Sequence, residues 1–170
     1  MKYDDIGPGP TATASISDPV AFVANAQRIT NDAVVDDALA LFHPDCVAEW
    51  TFDGITSRYV GIDEIRRALT TTLGVFRDQQ LAGRKVLVCS DERTIVNTWR
   101  GGFHGNDRQT GIEIWSFRDG LVIQHEMAVY LHATSRWSPL GLLRQLRLFI
   151  ATPRVAISQV RHEVRAIVTS

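Results

Sequence analysis

The chain has 170 residues, of which 45% are hydrophobic and 22% are charged, and its formal net charge is −1. These values are ordinary for one soluble domain with a single core, and they argue against a disordered chain or a membrane-embedded one. The charge is uneven, because residues 136–170 contain six arginines and one glutamate. We therefore predict a basic C-terminal appendage on a body that does not bind nucleic acid.

The N-terminal residues 1–16 contain acids, glycine and proline where a signal peptide needs a basic start and an apolar run. They are predicted to be a flexible tail. No window approaches the roughly 18 apolar residues of a membrane span, so a membrane partner is not expected. We predict a cytoplasmic location. The two thiols, Cys46 and Cys89, show no metal or CxxC spacing and are predicted to be buried, reduced side chains.

Three helices are predicted in the first half of the chain. Ser17-Asp18-Pro19 provides a capping side chain followed by proline, which predicts a helix over residues 18–29. Thr30-Asn31-Asp32 is predicted to interrupt it and to cap a second helix that ends at His43-Pro44-Asp45. A third helix is predicted from Gly61 to Phe76, with apolar residues on one stripe.

Strand patterns dominate after Gly83, where the apolar residues change to a period of two. The predicted strands are 46–54, a short extended piece at 58–60, and then 85–90, 94–105, 110–117 and 121–130. Short connections between the last four predict an antiparallel meander. Gly101-Gly102 is predicted to form a bulge that bends the sheet. Helices followed by strands predict an α+β domain with helices on one face of a curved sheet.

The clearest local feature is the hairpin TGIEIWSFRDGLVIQHEMAVY (110–130). Asp119-Gly120 favours the positive φ angles of a two-residue type I′ turn. Side chains alternate along a strand, so His125 and Met127 share one face, and Glu113 and Trp115 share a face of the preceding strand. Polar residues within these otherwise apolar runs mark the hairpin as a candidate pocket wall.

The segment 132–170 is predicted to be a basic amphipathic helical extension. From Ser138 it is predicted to form two helical pieces separated at Thr152-Pro153. Packing across the sheet or a pocket mouth, contact with a partner subunit, and contact with a membrane surface are three open uses of such helices.

Three segments resemble the nuclear transport factor 2-like superfamily, in particular its SnoaL-like (polyketide cyclase-like) branch. They are LFHPDCVAEWTFDG (41–54), YVGIDEIRRAL (59–69) and GIEIWSFRDGLVIQHEMAVY (111–130), and they place the domain at 17–131. The resemblance implies a cone-shaped, strongly curved antiparallel sheet wrapped around the N-terminal helices, the cystatin-like roll. It also implies a hydrophobic pocket at the open end and a homodimer formed through the outer face of the sheet.

Members of this superfamily include ketosteroid isomerases, polyketide cyclases, epoxide hydrolases, scytalone dehydratases and non-catalytic binding modules. The cyclase-like and hydrolase-like members place an aspartate where this chain has Met127. The isomerase-like members place one where it has Thr51, between Glu49 and Asp53. The two histidines of the dehydratase type also have no counterpart. The chain thus lacks a defining residue of each of these chemistries.

The candidate catalytic residues are His125, as a general base near neutral pH, and Glu113, as a carboxylic acid whose pKa an apolar wall would raise. The candidate ligand-binding residues are Trp50, Phe52, Trp99, Trp115, Met127 and His104. Clustered aromatic residues suit a flat, small apolar ligand such as a polyketide, steroid or terpenoid. No cofactor and no metal site are predicted.

Two functions remain open at this point. One is a cofactor-independent isomerase, cyclase or dehydratase in which His125, with Glu113, moves a proton. The other is a non-catalytic module that binds a hydrophobic molecule or another protein. The first requires both side chains to face one cavity, whereas the second requires an apolar pocket without converging titratable groups.

Overall fold

The structure, a computed structural model, describes residues 18–131. The predicted N-terminal tail and the predicted C-terminal helical extension therefore lie outside the described residues. The elements follow the order of three helices interleaved with two strands, and then a run of four strands. The predicted α+β class is confirmed.

The first helix, α1 (Pro19–Asp32), begins where the sequence predicted and ends later. Asp18 caps it, because its carboxylate accepts a 2.9 Å hydrogen bond from the Ala21 N–H. The predicted interruption at residues 30–32 is wrong, since these residues complete the last turn of α1 before Ala33 takes a left-handed φ of 54°. Tertiary contacts of Asn31 explain the difference: its side chain bonds the backbone of the edge strand instead of capping a new helix.

The other two helices pack beside α1. The second helix, α2 (Val35–Leu39), is shorter than predicted, because the chain turns into the first strand at Phe42. The third helix, α3 (Ile62–Asp78), follows the prediction closely. Its buried residues recur at helical spacing and face the core: Ile65, Ala68, Leu69 and Leu73.

Six strands form one curved sheet in the order β2-β1-β6-β5-β4-β3. Their bounds are β1 (Phe42–Phe52), β2 (Ile55–Val60), β3 (Ala82–Ser90), β4 (Thr94–Gly102), β5 (Gln109–Arg118) and β6 (Leu121–Tyr130). The last four strands form the predicted antiparallel meander, and β1 joins it by pairing in parallel with β6. Pro44 lies inside β1 and not at a helix end, at an irregularity in the β1–β6 register between Phe42 and Val47, where a strand tolerates proline.

The β5–β6 hairpin has the predicted two-residue turn. Asp119 and Gly120 have φ angles of 52° and 77°, and Arg118 pairs directly with Leu121 on the two sides of the turn. Both positive φ angles match a type I′ turn, which suits the twist of the flanking strands. A register shift between Ser116 and Phe117 then moves the pairing by one residue and places Trp115 opposite His125.

The glycine pair of β4 does not form a bulge, contrary to the prediction. Gly101 and Gly102 pair in regular register with β3, and the β3–β4 register shift lies instead between Leu87 and Cys89. A Cβ atom on Gly101 would collide with the Ala82 carbonyl oxygen. The glycines are thus explained by close backbone approach and not by a bend.

The core fills the space between the helices and one face of the sheet. Val23, Ala26 and Ile29 of α1 pack with the buried residues of α3 against Trp50 and Trp115 of the sheet. Cys46 is fully buried there, and burial raises the pKa of its thiol. Cys89 is exposed, so its predicted burial is wrong, because it follows the register shift of β3.

Candidate functional site

A cavity lies between the helices and the sheet face that packs against them. It contains about 740 Å³ of atom-free space, part of it at an open mouth. Its lining side chains come from α1, α2, α3 and five of the strands, and most are apolar. A cleft with a largely apolar lining and a few polar groups in its wall is typical of a small-molecule site.

His125 of β6 forms part of the cavity wall and is 3% exposed. Its ring stacks on the indole of Trp115, with ring centroids 3.7 Å apart and an interplanar angle of 15°. Its Nδ1 accepts a hydrogen bond of 3.1 Å from the indole Nε1 of Trp50. An indole N–H can only donate, so Nδ1 must carry the lone pair, and the neutral ring carries its proton on Nε2.

Nε2 of His125 is buried and makes no hydrogen bond to any of the described residues. Burial lowers the pKa of His125 to about 3, with the ammonium of Lys85 acting in the same direction and the carboxylate of Glu113 opposing it. The imidazole is therefore neutral at physiological pH. His125 offers a hydrogen-bond donor at Nε2, which corrects the predicted role of a general base near neutral pH.

Glu113 of β5 lies on the same wall and is also buried. The Nζ atom of Lys85 lies 2.8 Å from both of its carboxylate oxygens, and the Asn97 amide donates to Oε2 at 2.9 Å. Burial alone would raise the pKa of Glu113, but the ammonium of Lys85 and the hydrogen bonds from Lys85 and Asn97 outweigh it, so the pKa is lowered. The predicted neutral acid is therefore wrong, because an apolar wall is not its only neighbour.

Lys85 and Asn97 are the site residues that the sequence reasoning missed. Asn97 is fully buried, and its Oδ1 accepts a 2.7 Å hydrogen bond from the Trp115 indole. It thereby connects Glu113 to the indole that stacks on His125. The period of two offered a signal for it, because Asn97 lies two positions from both Ile95 and Trp99 and so shares their buried face of β4.

The predicted ligand-binding residues divide into two groups. Trp50, Trp99, Trp115 and Met127 line the cavity. Phe52 is half-buried and packs beside the core, outside the cavity lining. His104 lies in the turn after β4, where it is exposed, and its Nε2 is 3.2 Å from Gln79 Oε1, so it too lies outside the lining.

The polar residues Glu49, Thr51 and Asp53 at the end of β1 do not line the cavity. Thr51 shares a hydrogen bond of 2.8 Å with Thr56, and Glu49 forms an ion pair with Arg58 at 3.2 Å, on the opposite side of the strand from Trp50. Of the described residues that line the cavity, Glu113 alone carries a carboxylate. Within residues 18–131 no three His, Cys, Asp or Glu side chains form a group that could hold a metal ion.

No helix in the described part of the chain is long and apolar enough to cross a membrane. No curated protein is significantly similar in sequence. Among solved structures, a steroid delta-isomerase from Pseudomonas aeruginosa is 17% identical, with 94% of this chain and 100% of that chain covered and a TM-score of 0.51.

Two further solved structures share the fold. One is a protein of unknown function with a cystatin-like fold from Methylobium petroleophilum PM1, 16% identical over 75% of this chain and 84% of that chain, with a TM-score of 0.55. The other is a SnoaL-like protein of unknown function from Burkholderia thailandensis E264, 14% identical over 64% and 92%, with a TM-score of 0.51. At these identities the likeness concerns the fold alone, and it agrees with the predicted cystatin-like roll.

The family assignment comes from the sequence of the domain itself. The model of the SnoaL-like domain matches residues 23–125, which is more than half of the chain. The match begins inside α1, includes the ion-paired Glu113 and ends at His125. The chain therefore belongs to the SnoaL-like domain family, within the nuclear transport factor 2-like superfamily that its hairpin and first strand resemble.

Proposed function

We propose that the cavity binds a small, flat, uncharged molecule with an apolar body and one acceptor oxygen, such as a ketone. The observation that carries this proposal is the buried Nε2–H of His125, which has no partner among the described residues. A buried donor left unpaired costs about 1–3 kcal/mol. A ligand carbonyl that accepts this hydrogen bond removes that cost.

The remaining wall supports the same class of ligand. The indole rings of Trp50, Trp99 and Trp115 and the thioether of Met127 provide flat and adaptable apolar contact. Lys85 and Glu113 neutralise each other, so the wall calls for no charged group on the ligand. An uncharged bicyclic or polycyclic ketone satisfies both conditions.

1-Indanone and indene test the proposal, because they share a fused ring skeleton and differ in the carbonyl. We expect the protein to bind 1-indanone about fivefold more tightly than indene, which is the effect of one hydrogen bond. In His125→Asn the amide oxygen can replace Nδ1 as the acceptor for Trp50, but no donor remains at the position of Nε2. The ratio of the dissociation constants of indene and 1-indanone, measured by NMR titration, should then fall to about one.

Asparagine is the informative replacement at this position. His125→Ala would also leave the buried indole N–H of Trp50 unpaired and so would mix a folding effect with a binding effect. Equal affinity of the wild-type protein for the two probes would contradict the proposal. So would a preference that survives in His125→Asn.

Proton transfer is a second candidate, and the ionised Glu113 in the cavity wall is the observation that favours it. Cofactor-independent isomerases, cyclases and dehydratases can act by removing a proton next to a carbonyl. Here the Glu113 carboxylate would accept that proton, and the C–H electron pair would move toward the carbonyl oxygen. The Nε2–H of His125 would stabilise the resulting enolate oxygen.

Deuterium exchange separates an enzyme from a binding module. We expect the protons on C2 of 1-indanone to exchange in D2O faster with the wild-type protein than in buffer, as followed by proton NMR. Glu113→Gln should lower the protein-dependent rate by roughly 10²-fold or more, because an amide cannot accept the proton. Binding of 1-indanone without any exchange above buffer would leave the non-catalytic module as the function.

The predicted homodimer and cytoplasmic location stay predictions. The sheet face opposite the cavity exposes several large apolar side chains, which favours self-association: Val86, Val88, Ile112 and Tyr130. Light scattering of the full chain measures its mass in solution, and a monomeric mass at micromolar concentration would contradict the homodimer.

A further inference from the structure

The hydrogen bond between Trp50 and His125 lies at the base of the candidate site. The indole Nε1 and the imidazole Nδ1 are 3.1 Å apart, and the two rings meet edge to face with an interplanar angle of 73°. Trp50 is 2% exposed, so its N–H has no access to bulk solvent. The indole contributes a donor that cannot turn into an acceptor.

We propose that Trp50 selects the polarity of the ligand by fixing the tautomer of His125. Because its N–H donates to Nδ1, the imidazole proton stays on Nε2, and the cavity presents a donor that recognises only acceptor groups. Trp50 is thus a positioning residue that acts through His125. This inference rests on the proposed function and adds the residue that determines which ligands fit.

The opposite tautomer would make the opposite site. With the proton on Nδ1, Nε2 would become an acceptor and would recognise an N–H or O–H group. That tautomer would bring two buried N–H groups, from Trp50 and His125, together at 3.1 Å with neither satisfied. The low polarity of the interior makes this arrangement unfavourable.

No other described group competes for the imidazole nitrogens. Both oxygens of Glu113 are occupied by Lys85, and one of them also by Asn97. Trp115 covers one face of the imidazole, and Phe42 lies nearby with its ring centroid at 5.9 Å. Trp50 is therefore the one hydrogen-bond partner of His125 among the described residues, and it sets the tautomer.

Nitrogen-15 NMR of the uniformly labelled full chain reports the tautomer without any ligand. We expect Nδ1 of His125 to show the shift of an unprotonated nitrogen and Nε2 that of a protonated one, with the signals assigned by their loss in His125→Asn. In Trp50→Phe the two tautomers should become mixed. Trp99→Phe is the matched control, because Trp99 also lines the cavity but does not bond His125, and it should leave the tautomer unchanged.

Ligand preference provides the second readout, with 1-indanone as an acceptor and indole as an N–H donor on a similar ring skeleton. We expect the wild-type protein to prefer 1-indanone by about fivefold or more. Trp50→Phe should bring that ratio toward one. Trp99→Phe should weaken the binding of both probes equally, so the ratio of their dissociation constants should stay the same.

The proposed ligand class and the role of Trp50 are contradicted by different outcomes. If no probe binds, the proposed function fails, whereas the tautomer is still observed in the NMR spectrum. A wild-type His125 protonated on Nδ1, or an unchanged tautomer and ratio in Trp50→Phe, would overturn the role of Trp50. If Trp50→Phe does not fold, the wild-type protein alone tests the role of Trp50. A proton on Nδ1 of His125, or tighter binding of indole than of 1-indanone, would then overturn the inference.

Discussion

Lys85→Met is expected to lower the free energy of unfolding by about 3–5 kcal/mol. The Lys85 and Glu113 side chains are only 5% and 4% exposed, and their charged groups lie 2.8 Å apart. Methionine fills a volume similar to that of the lysine stem but leaves the Glu113 carboxylate buried without its cation. Urea denaturation at pH 7 measures the effect through the shift of the unfolding midpoint.

The double variant Lys85→Met/Glu113→Gln separates the lost pair from the stranded charge. We expect it to be more stable than Lys85→Met, because replacing both members of a buried pair removes the uncompensated charge. Arg58→Met is the matched control, since it breaks the exposed ion pair with Glu49 and should cost less than about 1 kcal/mol. Equal losses in Lys85→Met and Arg58→Met would show that Glu113 is not a buried anion.

Acidification from pH 6.5 to pH 5 is expected to destabilise the protein by about 2 kcal/mol through His125 alone. The pKa of His125 is about 3 in the folded protein and 6.5 in the unfolded chain. Between these two values the unfolded state binds more protons, so stability falls by about 1.4 kcal/mol for each pH unit. The loss begins as the pH falls through 6.5 and is complete near 3. Glu113 adds its own loss below its unfolded pKa of 4.5.

His125→Asn is the control for this pH dependence. The comparison is made between pH 7 and pH 5, above the range in which Glu113 takes up a proton. The unfolding free energy of the wild-type protein should fall more steeply than that of His125→Asn, and the difference in slope isolates the imidazole. Parallel slopes would show that His125 is protonated as easily in the folded protein as in the unfolded chain.

Local sequence signals predicted the sheet well where a short connection determines the pairing. Asp119-Gly120 fixes a two-residue turn, and the pairing of β5 with β6 beside the turn, Arg118 with Leu121 and Phe117 with Val122, follows from it. The register shift between Ser116 and Phe117 brings Glu113, Trp115 and His125 to one face of the sheet, and neither the turn nor a period of two predicts it. These three residues line the same cavity.

The parts that the sequence did not predict depend on long-range pairing. Glu113 meets Lys85 across β4, and no local pattern gives the combined register of β3, β4 and β5. Its pKa was predicted to rise because the residues adjacent in sequence are apolar, whereas the charge that decides it lies 28 positions away. The role of His125 was missed for the same reason, since its tautomer depends on Trp50, which lies 75 positions away in the sequence on the neighbouring strand β1.

The parallel pairing of β1 with β6 has a consequence for the order of assembly. Trp50 and His125 are 75 positions apart in the chain. The meander from β3 to β6 can form through short hairpins, whereas β1 must wait for β6, and closing so long a loop costs entropy before any contact offsets it. During synthesis Trp50 can therefore orient the imidazole of His125 only after β6 has left the ribosome. A nascent chain that ends before β6 has Trp50 of β1 but lacks the His125 donor that Trp50 orients.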